Sequence, residues 1–161
     1  MRINIEADEY IIASLPKIWQ TEAGFTGFFS KSREGILTLT NKKIAFVPKF
    51  VFLTADEREK YFENDEAKVT KMDDYSEIQL DEDLTEHTKS SFVPLKSIDN
   101  VETVKLRKVR FLRIIFRTGN DKVKKYDFAI TKSVTNYPIR QPLLFYSLNW
   151  EAWVKLINAY L

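Results

Sequence analysis

Two groups of residues in this chain carry enough charge, close to enough aromatic surface, to hold a ligand or a partner. The first is Gly24-Phe25-Thr26-Gly27-Phe28-Phe29-Ser30-Lys31-Ser32-Arg33, which sets a Lys-x-Arg pair beside phenylalanines, with Lys17 upstream. Two cations converging on one anion grip phosphate oxygens through charge-assisted hydrogen bonds, and Phe28 and Phe29 have the character of side chains that enter the interfacial layer of a membrane. The same two rings would serve equally well folded back under a sheet as core. The second group is Lys105, Arg107, Lys108, Arg110, Arg113, Arg117 and Lys125, in a stretch (105–132) with ten basic residues against Asp121 and Asp127. Such a run either attracts an anionic lipid or an acidic partner, or is a solvated face with no partner at all.

Catalytic chemistry finds no foothold. The chain has no cysteine, which excludes thiolate nucleophiles, thiolate zinc sites and disulfides. Its four glycines, Gly24, Gly27, Gly35 and Gly119, form no phosphate-cradling loop. His87 is the one histidine and lies in an acidic stretch without an identifiable partner, so it reads as a solvated loop residue. Asp81-Glu82-Asp83 lacks the glycine and ligand spacing of a calcium loop, and a solvated string of carboxylates does not perform acid–base catalysis. The expectation is no catalytic residue, no metal, no cofactor and no enzyme.

Charge is strongly segregated although the formal net charge is only +2. Residues 55–87 hold 13 acidic and 4 basic residues, net −9, while 105–132 are net +8. One reading is that the acidic segment folds over the basic one and masks it until a partner competes. The other is that the two face different directions.

The elements that must position these groups follow from periodicity. Tyr10–Ser14 and Lys17–Trp19 read as extended, with Pro16 at an edge or bulge. Gly35–Thr40 and Lys43–Val47 alternate around the Asn41-Lys42 turn and predict a hairpin closed by Pro48. Thr54-Ala55-Asp56-Glu57 is a capping box opening a short helix to about Glu63. Residues 64–90, with only scattered Val69, Tyr75, Ile78 and Leu80, read as a polar, partly mobile insertion that buries no face. Ser91–Leu95, Ile98–Leu106, Arg110–Arg117 and Lys122–Ile130 predict further strands, the last two joined by Thr118-Gly119-Asn120-Asp121. In them Leu112, Ile114, Phe116, Tyr126, Phe128 and Ile130 mark the core face, and Phe111, Arg113, Ile115, Arg117, Lys125 and Asp127 an amphipathic, basic one. After Pro138 and Pro142, Asn149 caps a helix whose Trp150, Trp153, Val154, Ile157 and Leu161 form an apolar stripe that must be buried.

Three local signatures resemble the pleckstrin-homology-like superfold, closest to its GRAM and bacterial PH-like families. They are Gly35-Ile36-Leu37-Thr38-Leu39-Thr40-Asn41-Lys42-Lys43-Ile44-Ala45-Phe46, then Val93-Pro94-Leu95-Lys96-Ser97-Ile98 followed by Val101, and the Trp153-bearing terminal helix. The departure is an acidic insertion at about 49–90. The resemblance implies a mainly β fold, α+β by content, of about seven antiparallel strands in a partly open barrel capped by the C-terminal α-helix, as one domain over residues 1–161. It also implies a non-catalytic binding scaffold, of the kind used for anionic headgroups, peptides or protein assembly.

With 161 residues, 44% hydrophobic and 14% aromatic, the chain has the length and apolar content of one ordinary domain. No apolar stretch is long enough to span a bilayer, and the first residues turn acidic where a signal peptide needs its apolar core, so a cytoplasmic protein is expected. The leading functional expectation is a protein interaction or adaptor module acting through a sheet edge and the basic strands. The alternative is peripheral binding to anionic, phosphoinositide-like headgroups at the membrane surface through the basic loop and strand residues. Nucleic acid is not expected, given near-neutral charge and no recognised motif, while edge strands of such a sheet allow a homo-oligomer.

Overall fold

The computed structural model describes residues 3–22, 33–106, 108–135 and 141–161. The chain starts its sheet with β1 (Ile11–Glu22), one long strand rather than two pieces. Pro16 lacks the amide a ladder needs, and Lys17 takes a left-handed φ of 59°, so the register slips between Leu15 and Ile18 and the strand continues past a bulge in the middle of the sheet. β2 (Arg33–Thr40) and β3 (Lys43–Val47) form the predicted hairpin, with Leu39 opposite Ile44 and Ile36 opposite Val47. Gly35 is obligatory here, because a Cβ at this position would stand 2.1 Å from the Val47 carbonyl oxygen.

Between β3 and the next long strand lie α1 (Ala55–Tyr61), a two-stranded ribbon β4 (Phe62–Glu63) and β5 (Glu66–Ala67), and α2 (Glu77–Glu86). The Thr54 capping box forms as the sequence predicts, and a second one at Ser76 and Gln79 starts α2. Asn64 and Asp65 both hold positive φ, the conformation a two-residue ribbon turn demands. β6 (Ser91–Pro94), a 3₁₀ turn (Leu95–Ser97), β7 (Ile98–Leu106), β8 (Val109–Arg117), β9 (Val123–Thr135), β10 (Gln141–Tyr146) and α3 (Glu151–Ala159) complete the chain.

Eight strands form one antiparallel sheet in the order β6-β3-β2-β1-β9-β8-β7, with β10 paired to β9 beyond that path. The outermost strands β6 and β7 are joined by only the 3₁₀ turn, so the sheet must roll until its two ends meet at that corner. No ladder joins β6 to β7, so the roll is not a closed barrel. The main core fills the inside: Leu37, Leu39, Ile44 and Phe46 from one wall face Leu112, Ile114 and Phe116 from the other, and the Phe46 and Phe128 rings lie 6.2 Å apart. α3 plugs this interior with Trp153 and Ile157, preceded by Trp150. Both indoles are anchored, Trp150 Nε1 donating to the Arg110 carbonyl and Trp153 Nε1 to that of Lys68. Asn149 accepts from the Glu151 amide at 2.9 Å, while Leu161, placed on the buried stripe by spacing, is half exposed past the helix end.

Residues 64–90 depart most from the sequence reading. They bury Ala67, Tyr75, Leu80, Asp81 and Asp83, and α2 lies over the outer face of the β1–β3 wall. There Leu80 and Tyr75 join Ile11, Ile36, Ala45, Val47 and the N-terminal Ile5 in a second core. Every residue of β3 is therefore buried, because both of its faces are covered. Ten residues of acidic helix achieve this with few apolar groups because carboxylates do part of the anchoring. Asp81 accepts from three successive backbone amides, those of Ile3 (3.0 Å), Asn4 (2.6 Å) and Ile5 (3.1 Å), and Glu77 accepts from the amide of Ile11.

Candidate interaction site

The basic strands occupy the wall opposite the insertion. Cross-strand pairs share a face, so the outer face of β7–β9 is assembled from the rows Val104–Phe111, Glu102–Arg113–Asp127, Asn100–Ile115–Lys125 and Arg117–Val123. β10 reaches the Phe111 end of these rows. Leu106 and Val123 are 44% and 51% exposed, and Val104, Val109, Phe111 and Ile115 are half-buried, with Phe111 set edge-on to Phe145 of β10 at 5.3 Å.

The cations predicted to form one site divide into two kinds. Arg113 makes a bidentate pair with Asp127, Nε to Oδ1 at 2.8 Å and Nη2 to Oδ2 at 2.9 Å, and Asp127 is 4% exposed. That hydrogen-bonded carboxylate raises the guanidinium pKa above its ordinary value, so Arg113 is a fixed part of the sheet. Arg110 spends its side chain on Ser147, reaching the hydroxyl at 3.2 Å and the carbonyl at 3.1 Å, which fastens the exit of β10. Arg117 pairs with Asp99 and Asp121. Each of these three thus has a partner within the fold that spacing alone does not indicate. Lys105, Lys108 and Lys125 are exposed with no carboxylate in ion-pair reach among the described residues, as is Lys122, which spacing did not single out. Lys108 sits at the tip of the β7–β8 hairpin with φ at 70°. Lys31, Phe28, Phe29 and Arg107 lie outside the described residues, and for Arg33 the backbone alone is placed, at the start of β2.

The insertion does not mask this face. Its buried acids turn to the N-terminal residues and to Lys49 just past β3, and it meets the basic side of the molecule through the ribbon backbone, where Asn149 donates to the Asp65 carbonyl and accepts from the Ala67 amide. Asp83 is buried between Tyr75, whose hydroxyl donates to it at 2.8 Å, and Lys49 at 3.3 Å. Burial, and then the bond to Asp83, push the Tyr75 phenol far above its ordinary pKa. His87 is the partly exposed C-cap residue just past α2, with Nε2 at 3.8 Å from Asp83.

Two features went unread in the sequence. A cavity of about 340 Å³ opens between α1 and the start of α2, with Ile36, Val51, Met72 and Tyr75 in its walls and Lys49, Glu57, Lys60, Asp73 and Asp74 as its charged residues. Beside it Phe50 and Phe52 are 59% and 74% exposed, and Lys17 Nζ lies 4.9 Å over the Phe50 ring. The signal was there: Phe50 and Phe52 alternate with the half-buried Val51 and the buried Leu53, the period of an extended strap showing one face to solvent. No helix among the described residues is long and apolar enough to cross a membrane. Comparison of the chain with family models, curated proteins and solved structures gives no match.

Proposed function

We propose that the chain is a non-enzymatic, PH-like binding module that engages an acidic segment of a protein along β7 and the outer face of β7–β9. An antiparallel meander rolled until its ends share a corner, with a C-terminal helix against its interior, is the arrangement such a fold requires, and this supports the fold reading. One observation carries the functional reading. β7 is a nine-residue strand at the end of the sheet, hydrogen-bonded on one side to β8 and with no strand on the other among the described residues. Its unpaired amides and carbonyls can accept an extended strand, and Lys105, Lys108 and Lys125 supply the charge that selects an acidic one. The test is titration of a synthetic peptide of alternating glutamate and valine into isotopically labelled protein. Amide shifts should concentrate at Ile98–Leu106, and Lys125→Glu should weaken binding by about tenfold. Shifts confined to other strands, or none at all, would overturn the reading.

A second reading has its own support in the exposed Phe50 and Phe52 with Lys17 over Phe50, an aromatic and cationic pairing suited to an anionic membrane surface. It requires that vesicles containing phosphatidylserine sediment the protein and that replacing both phenylalanines by alanine releases it. The crowd of carboxylates in residues 55–87 opposes this docking, which is why the protein partner is preferred.

A further inference from the structure

The cavity between α1 and the start of α2 contains no residue of β7–β9 and stands apart from the strand-addition site. Its volume, about 340 Å³, lies at the low end of the roughly 300–1,000 Å³ typical of small-molecule sites. Ile36, Val51, Leu53 and Met72 give it apolar walls. Phe52 lines it while 74% exposed, which puts that ring at the mouth. The remaining lining is charged, and most of the charges are already matched. Lys60 pairs with Asp73, Lys49 with the buried Asp83, and Glu57 accepts from the Thr54 amide.

Two polar groups of the lining are left unmatched. Asp74 is an exposed carboxylate with no cation in ion-pair reach among the described residues. Tyr61 is only 6% exposed, and its hydroxyl has no hydrogen-bond partner among the described residues. That hydroxyl is turned to the cavity and not shut into the core, because the charges that act on it, those of Lys60, Asp73, Glu57 and Asp74, all belong to the same lining. Burial pushes the phenol above its ordinary pKa against the pull of Lys60, so near neutral pH it remains an uncharged donor and acceptor. A polar group this deeply set is costly unless something in the cavity bonds it.

We infer that the cavity binds a small monoamine bearing one apolar group, whose ammonium donates to the Tyr61 hydroxyl oxygen and the Asp74 carboxylate while the apolar group lies against Val51 and Met72. Both unmatched groups accept hydrogen bonds and one is anionic, so a protonated amine satisfies the pair. An anionic ligand of the same shape would meet Asp74 and Glu57 with both lysines already engaged, which sets the selectivity.

The test is titration of 2-phenylethylamine into the isotopically labelled full chain at an ionic strength of about 0.05 M, read from the methyl signals of Val51, Leu53 and Met72. Saturable shifts are expected there, and none with phenylacetate, which carries a similar ring and the opposite charge. Tyr61→Phe should melt like the parent, since the hydroxyl has no bond within the chain to lose, yet bind the amine about fivefold more weakly. Asp74→Asn should weaken binding about threefold. The inference is overturned if 2-phenylethylamine gives no saturable shifts at these methyls, if phenylacetate binds as well, or if Tyr61→Phe binds like the parent. A Tyr61→Phe chain that melts well below the parent overturns it too, because the hydroxyl is then bonded within the fold. The cavity and β7 share no residue, so the amine site and the peptide site stand or fall separately.

Discussion

Asp81→Asn tests the idea that the acidic insertion is held by its own carboxylates. Asp81 is 6% exposed and accepts the amides of Ile3, Asn4 and Ile5, so it fixes the N-terminal residues across α2 and sets Ile5 into the second core. An asparagine keeps the shape and one acceptor oxygen but removes the charge, and its amide group has no acceptor among three donors. Bonds to a charged group contribute roughly 1.5–3 kcal/mol each, but the losses are not additive and one bond survives, so a loss of about 2–3 kcal/mol is expected. With a urea slope of about 2 kcal/mol/M this lowers the unfolding midpoint by roughly 1 M. The loss depends on pH in a definite direction. Burial alone would raise the Asp81 pKa, but the three amides together outweigh it and hold the carboxyl below its ordinary value of 3.8. A lowered folded-state pKa gives stability that is present above the unfolded-state value and vanishes as pH falls through the folded one. The gap between parent and variant should therefore be constant near neutrality and close on acidification below about pH 4. Urea melts across pH, with amide exchange at Ile3–Ile5, measure both effects. An unchanged midpoint with those amides still protected would refute the reasoning.

Two further substitutions probe the same region from its apolar side and its phenol. Leu80→Ala should cost about 3 kcal/mol in one cooperative transition, because Leu80 is fully buried against the β1–β3 wall; a loss below about 1 kcal/mol would mean α2 is not part of the core. Tyr75→Phe should cost about 1.5 kcal/mol and remove no phenolate absorbance in an alkaline titration to about pH 11, since this hydroxyl is held protonated; a lost share of the seven-tyrosine signal would contradict that.

What the sequence showed best was whatever depends on period and turn chemistry. The alternation in Gly35–Val47, the assignment of Leu112, Ile114 and Phe116 to the core and the capping box at Thr54 are local signals, and each appears in the structure where spacing placed it. β10 was missed because Pro142 reads as a breaker, yet among the described residues β10 pairs with β9 alone and its other side has no ladder to lose. The insertion was misread because apolar spacing cannot register a helix anchored by Asp81 and Glu77 on distant backbone amides. The basic strands hold a distinction that spacing does not show for a related reason. Cation counts do not reveal that Arg113, Arg117 and Arg110 each find a partner within the fold, whereas Lys105, Lys108 and Lys125 have no carboxylate in ion-pair reach among the described residues. The cavity brings together residues from Ile36 to Gln79, and no linear pattern marks it.

The most direct measurement of the central claim is amide hydrogen exchange of the full chain at low salt, with and without the glutamate–valine peptide, read residue by residue. Strand addition predicts slowed exchange concentrated at Ile98–Leu106, weakened when Lys125 is replaced by glutamate. Slowing confined to other strands, or no slowing at all, would contradict it.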